Sequence, residues 1–276
     1  MYREYMNTAV EIAREAGHFL KHFSESHKLN VEAKVSDLDF VTDADKESQA
    51  MIAKRLKEKY PNHRFVGEED NMKDAEVNKL LLENGEDFFW IVDPLDGTLN
   101  YIHHLNGYGV SIGLVHQGRS VAGAIYLPET DEMFYAAEGE GAFMNGKPIK
   151  AAECSELKKA FLLTGIPVTN LVRRKRFMHW ESEVGMKSAN TRMLGSAAQN
   201  MAYVACGFVD AYWELGPHPW DVAAGLIIGK EAGCGLSDLW GNDFSFDCAN
   251  GVVISAPGVH KELTGALREA DESFDA

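Results

Sequence analysis

A short apolar run, Phe88 to Val92, stops abruptly at Asp93-Pro94-Leu95-Asp96-Gly97-Thr98, and no other stretch limits the fold as tightly. Five apolar residues between polar flanks predict a buried strand. The residues after it fit two readings. Asp-Pro and Asp-Gly are common turn dipeptides, so the segment can be a plain surface turn. Alternatively, Asp93 and Asp96 share a hard divalent cation through oxygen, and a helix beginning near Gly97-Thr98 offers backbone N–H groups to a phosphate.

The pattern on either side is α+β before this junction and α/β well after it. Residues 2 to 22 predict an amphipathic helix, with Met6, Ala9, Ala13, Ala16 and Leu20 three and four apart. A second helix is expected from about Asp43 to Tyr60, opened by Thr42 and Asp45 as in a capping box and stopped by Pro61. Residues 70 to 87 read as an acidic loop with one short helix. From Val110 to Ile149 strands alternate with turns at His116-Gln-Gly-Arg119, Pro128-Glu-Thr-Asp131 and Asn145-Gly146. Later strands are expected at 161–166, 209–215 and 251–255, and helices at 171–186, 196–206, 220–232 and 260–270. The chain of 276 residues thus divides into halves 1–152 and 153–276 that share one interface, the first holding most of the candidate ligands.

Charge narrows the chemistry. Lys and Arg number 27 against 42 Asp and Glu, a net charge of -15 that disfavours nucleic acid and anionic membranes. The same charge repels a phosphate ester unless cations neutralise the acids around it. The first twenty residues alternate charged and apolar positions, unlike a signal peptide or a membrane span, and the expected location is the cytoplasm. Cys154, Cys206, Cys234 and Cys248 lack CxxC spacing and are read as free thiols.

Two further acidic segments stand out. Gly67-Glu68-Glu69-Asp70 comes after the strand-like Phe65-Val66, so Glu68 or Glu69 can point into a cleft or belong to a solvated loop. Trp220-Asp221-Val-Ala-Ala-Gly225 opens a helix apolar almost all round, hence buried. Asp221 can be its N-cap, favoured by the helix dipole, or a metal ligand.

Together and in this order, GEE at 67–69, the box Trp90-Ile-Val-Asp-Pro-Leu-Asp-Gly-Thr-Leu-Asn100 and Trp220-Asp-Val-Ala-Ala-Gly225 resemble the three signature segments of the inositol monophosphatase family. The resemblance spans residues 30 to 255 or so. It implies a layered αβαβα sandwich and a phosphomonoesterase using two or three Mg2+ ions, lithium-sensitive and commonly homodimeric. Glu68, Asp93 and the Leu95 carbonyl then match ligands of one ion, and Asp93, Asp96 and Asp221 those of another. A weaker third ion also leans on Glu68. Asp45 and Thr98 match the pair that handles the attacking water, and the Gly97 and Thr98 N–H groups match the phosphate cradle. Lys34 matches a basic residue near the metals. Gly195, Ser196, Ala197, Glu214 and the Asp96 carboxylate match the contacts to the alcohol.

The implied substrate is a small phosphorylated polyol or nucleotide, inositol monophosphate first. NADP, fructose 1,6-bisphosphate and 3′-phosphoadenosine 5′-phosphate are alternatives within the same chemistry. A regulatory binding protein with sidelined catalysis is the alternative of another class. Leu105-Asn106, where relatives often carry an aromatic residue and proline, and the long acidic stretch before Asp93 bear on substrate choice. Adjacent His103 and His104 point to different helix faces and cannot easily share a metal. His218 reads as a supporting residue near Asp221, Trp213 and Trp220 as packing, and Arg173 to Arg176 as a solvated helix face.

Overall fold

The computed structural model describes residues 1–26, 30–33, 40–167 and 171–274. α1 (Arg3–Ser26) is followed by a small antiparallel pair, β1 (Val31–Ala33) and β2 (Phe40–Thr42), which leads directly into α2 (Asp43–Lys59). The start of α2 is fixed by Asp45, whose carboxylate accepts the Thr42 backbone N–H at 2.8 Å and its hydroxyl at 2.6 Å. β3 (Arg64–Gly67) and a short 3-10 turn at Glu68–Asp70 precede α3 (Asp74–Glu83). At ten residues, α3 accounts for most of the acidic stretch, with Val77 and Leu81 buried beneath its charged face.

β4 (Phe88–Asp96), α4 (Thr98–Ile102), β5 (Gly109–His116), β6 (Arg119–Leu127), β7 (Glu132–Ala137), β8 (Gly141–Met144) and β9 (Lys147–Pro148) come next. They complete a seven-stranded sheet in the order β3-β4-β5-β6-β7-β8-β9, antiparallel except for the β3/β4 pair. The remaining elements are β10 (Phe161–Gly165), α5 (Leu171–Gly185), β11 (Asn190–Arg192), α6 (Ala197–Ala205), β12 (Ala211–Glu214), α7 (Pro219–Glu231), β13 (Gly235–Ser237), β14 (Val252–Ser255) and α8 (His260–Phe274). Their strands form a five-stranded sheet in the order β11-β10-β12-β14-β13.

Alternation along the strands sorts the layers. On β4, Trp90 and Val92 pack with Met6, Ala13 and Leu20 of α1 and Ile52 and Leu56 of α2, whereas Phe89 and Ile91 pack with Met201 of α6 and Val222 of α7. On β12, Tyr212 joins that middle layer, while Ala211 and Trp213 face Phe177 and Trp180 of α5 and Leu263 and Leu267 of α8. The order is α1/α2, sheet, α6/α7, sheet, α5/α8: the αβαβα sandwich. The middle helix lies close on the first sheet because its contact residues are small. A Cβ on Gly113 of β5 would stand 2.7 Å from the Ala223 Cβ, so bulk at either position would lift α7 and its first turn away. All four cysteines are free thiols. Among the described residues no helix is long and apolar enough to cross a membrane.

Candidate active site

Two parallel strands run side by side up to the end of β3. β3 and β4 pair with Gly67 opposite Val92, so Glu68 and Asp93 leave the same edge together. β4 does not turn at Asp93 as its sequence suggested; it continues to Asp96 through a bulge, with Asp93 opposite Ser111 and Asp96 opposite Gly109. Pro94 has no N–H to give the ladder, and the strand absorbs it as an extra residue. In a regular strand, residues three apart face opposite ways; the bulge returns Asp96 to the face of Asp93. The Leu95 carbonyl accepts the Thr98 hydroxyl at 3.1 Å, while the Leu95 side chain is buried.

The face carrying the two aspartates is the one covered by α6 and α7. Asp221 is not the N-cap of α7: that position is His218, Pro219 is the first helical residue, and Asp221 is the third. Its carboxylate accepts the His218 N–H at 2.7 Å, which anchors it at the helix start. Asp96 accepts the Ser196 hydroxyl and the N–H groups of Ala197 and Ala198, the last at 2.7 Å, so it also anchors the start of α6. Thr98 donates to Asp45 at 3.2 Å, bringing α2 into the same cluster. Gly97 turns the chain from β4 into α4 with φ of 87°, and a Cβ there would meet the Gly107 carbonyl at 2.6 Å.

The acids burden one another. Burial comes first in pushing Asp93 well above the ordinary carboxylate range, and the charges of Glu68, Asp96 and Asp221 add to it. Asp221 is also pushed well above that range by burial and by Asp96 and Glu68, with His218 opposing. Burial raises Asp96 to about 6, held back by its hydrogen bonds from Ser196, Ala198 and Ala197. No three described His, Cys, Asp or Glu side chains close on one point as a ready-made cation cage. Hard oxygen donors that resist ionisation beside one another are what a divalent cation relieves, so the donor set fits.

Opposite the acids lies a second wall. A cavity of about 340 Å³ is lined by Glu68, Asp96, Gly97, Thr98 and Asp221 on one side and by Gly165, Ile166, Gly195, Ser196, Ala197 and Glu214 on the other. Glu214 is pushed up to about 7 by burial, partly offset by the Tyr212 hydroxyl that donates to it. Asp93 and Asp45 are buried beside this cavity and do not line it. Lys34 lies outside the described residues.

Several participants are not readable from the sequence. Asn100, inside the DPxDGTxN box, donates to the carbonyls of Gly107 and Leu194, both at 2.7 Å, and so ties α4 to the Gly195 loop. Asn200 lines the cavity at 1% exposure, and its Oδ1 has no hydrogen-bond partner among the described residues. His218 pairs with Asp74 of α3 at 2.9 Å and stacks on Trp220 with 5.0 Å between ring centres. Burial works against its charge, but Asp74 and Asp221 hold it above its ordinary pKa. The box alone hinted at Asn100; a pairing such as His218 with Asp74, 144 positions apart, leaves no local signal. His103 and His104 lie just beyond α4, His103 as its C-cap and His104 with φ of 55°, so they do not share a helix as expected.

Comparison with known proteins adds to this geometry. The sequence model of the inositol monophosphatase family matches residues 1–273. Inositol monophosphatase 3 of Solanum lycopersicum is 40% identical over 244 residues, covering 87% of this chain and 88% of its own. Nus factor SuhB of Vibrio cholerae is 35% identical over 272 residues, with 97% of each chain covered. The solved structure of the Thermotoga maritima IMPase superposes with a TM-score of 0.85 at 31% identity, covering 98% of this chain and 99% of that one.

Proposed function

Because the chain belongs to the inositol monophosphatase family, we propose that it hydrolyses a small phosphate monoester, inositol monophosphate first, with Mg2+ held among Glu68, Asp93, Leu95, Asp96 and Asp221. The observation that carries this reading is the bulge in β4, which sets two buried carboxylates on one face beside Glu68 and beneath Asp221. Bound Mg2+ supplies positive charge to the phosphate oxygens and the departing alkoxide and acidifies a water.

The residues of the chain do the rest. Thr98 and Asp45, already hydrogen-bonded to each other, orient the attacking water and take up its proton. The N–H groups of Gly97 and Thr98 face the phosphate. Glu214, with Gly195, Ser196 and Ala197, receives the hydroxyls of the alcohol. Two halves, 1–152 and 153–276, meet at this cleft. Family likeness extends the proposal to a homodimer inhibited by lithium, and the net charge of -15 to an enzyme that does not bind nucleic acid; the cytoplasm is its proposed location.

The test is a phosphate-release panel over inositol phosphates, fructose 1,6-bisphosphate, NADP and 3′-phosphoadenosine 5′-phosphate, with Mg2+ and with chelator. Release from none of them in Mg2+ would overturn the reading. It would favour the second one, a regulatory binding protein, which the name Nus factor carried by bacterial relatives of similar identity supports.

A further inference from the structure

Glu68 stands where the chain leaves β3, and a strand end does not by itself fix the next side chain. The Glu68 side chain shares a hydrogen bond with Asp93, and the backbone that carries it is held from one face of α2. Asp45, Ser48, Gln49 and Ile52 recur at helical spacing, and all four are buried. Asp45 reaches Thr98, and Ser48 donates to the Pro94 carbonyl in the β4 bulge at 3.1 Å. Gln49 spans the turn that carries Glu68: its Oε1 accepts the Glu69 N–H at 2.9 Å, and its Nε2 donates to Asp70 Oδ1 at 3.1 Å. The second Asp70 oxygen accepts the Gly67 N–H at 2.8 Å, so hydrogen bonds hold the backbone on both sides of Glu68. The amide also packs directly on Gly67, where a Cβ would stand 2.2 Å from its Oε1.

We propose that Gln49 is a positioning residue of the cation site, setting through the backbone on both sides of Glu68 where that carboxylate stands relative to Asp93. The inference rests on the proposed role of Glu68 as a cation ligand. What position 49 requires is polarity as well as size. A carboxylate there keeps an acceptor for the Glu69 N–H, loses the donor to Asp70 and sets a further negative charge against it. The polarity can be inverted. In Gln49→Glu combined with Asp70→Asn, the new amide oxygen can accept from Gly67 while its NH2 donates to the new carboxylate, and every partner is again satisfied.

The experiment is calorimetric titration of Mg2+ into the full chain, alongside the Mg2+ dependence of phosphate release. Gln49→Glu should bind Mg2+ about tenfold more weakly, the low end for loss of a ligand's hydrogen-bonded support. Its kcat at saturating Mg2+ should stay within about twofold, because the groups handling water are untouched. The double variant should recover affinity to within about threefold of wild type, as a coupled pair must. Should Gln49→Glu fail to fold, Gln49→Met, neutral and of similar length, should show the same loss of affinity. Unchanged Mg2+ affinity in a folded single variant would overturn the inference, as would a loss that the double variant leaves unrepaired. A wild-type chain that takes up no Mg2+ would overturn it together with the reading of the site. Uptake without phosphate release strikes the proposed reaction alone, and calorimetry still decides the role of Gln49.

Discussion

The two walls of the cleft are built by different means. The acid wall is set by the sheet itself: parallel strands that bring Glu68 beside Asp93, a bulge that faces two carboxylates one way, and a helix start that holds a further acid. Nearly every polar group there is tied to backbone. The opposite wall is assembled from the ends of β10 and β12, the first turns of α6 and the short segment between β11 and α6. Met193 lines it at 47% exposure, Glu214 is held by a neighbouring tyrosine, and the Asn200 amide oxygen has no partner among the described residues. On the roles proposed above, the chemistry sits on the wall built from the first sheet and selectivity on the opposite one.

The largest effect should come from attacking the fixed wall. Asp93→Asn is expected to lower kcat by several orders of magnitude, and chelation to abolish turnover until Mg2+ is restored, because Asp93 is proposed to serve two ions. Phosphate release monitored in chelator and then in excess Mg2+ measures this; full activity in chelator would erase the distinction between the walls. Next come Thr98→Ala and Asp45→Asn, each expected to cost about a hundredfold or more in kcat with little change in KM. The double variant should be little worse than either single one, since the two groups share one hydrogen bond. Fully additive losses would separate them.

The selective wall should answer more gently and only to some substrates. Above pH 7, where Glu214 is ionised despite its burial, a hydrogen bond to this charged acceptor is worth about 1.5–3 kcal/mol, so Glu214→Ala should lower kcat/KM for inositol 1-phosphate by roughly ten- to a hundredfold. An aryl phosphate, with no hydroxyls to offer, should be turned over nearly as before. Equal losses on both would move Glu214 to the fixed wall.

Legibility in the sequence divides along the same line. The acids, the capping pair Thr42 and Asp45, and the long helices are legible because periodicity and local hydrogen bonds write themselves into neighbouring residues. The bulge is not, since Asp-Pro-Leu-Asp reads equally as a turn until β5 is laid beside it. β11 and β13, Asn190–Arg192 and Gly235–Ser237, have no apolar alternation of their own and exist only as edges of a sheet formed by others. Gln49 leaves no local trace, because an amide binding backbone 20 residues away resembles any polar helix residue.

Asp96 joins the walls mechanically. It belongs to the first sheet and is pinned to the opening turn of α6, a helix that lies between the two sheets and touches strands of both. We therefore expect the cleft to hinge about this rivet, closed at the carboxylate end and breathing along the rim near Met193 and Ile166. Amide hydrogen exchange would reveal the asymmetry, with the Ala198 N–H slow and those of the 193–195 rim fast. Uniform exchange along the segment would mean the two layers part as freely at Asp96 as anywhere else.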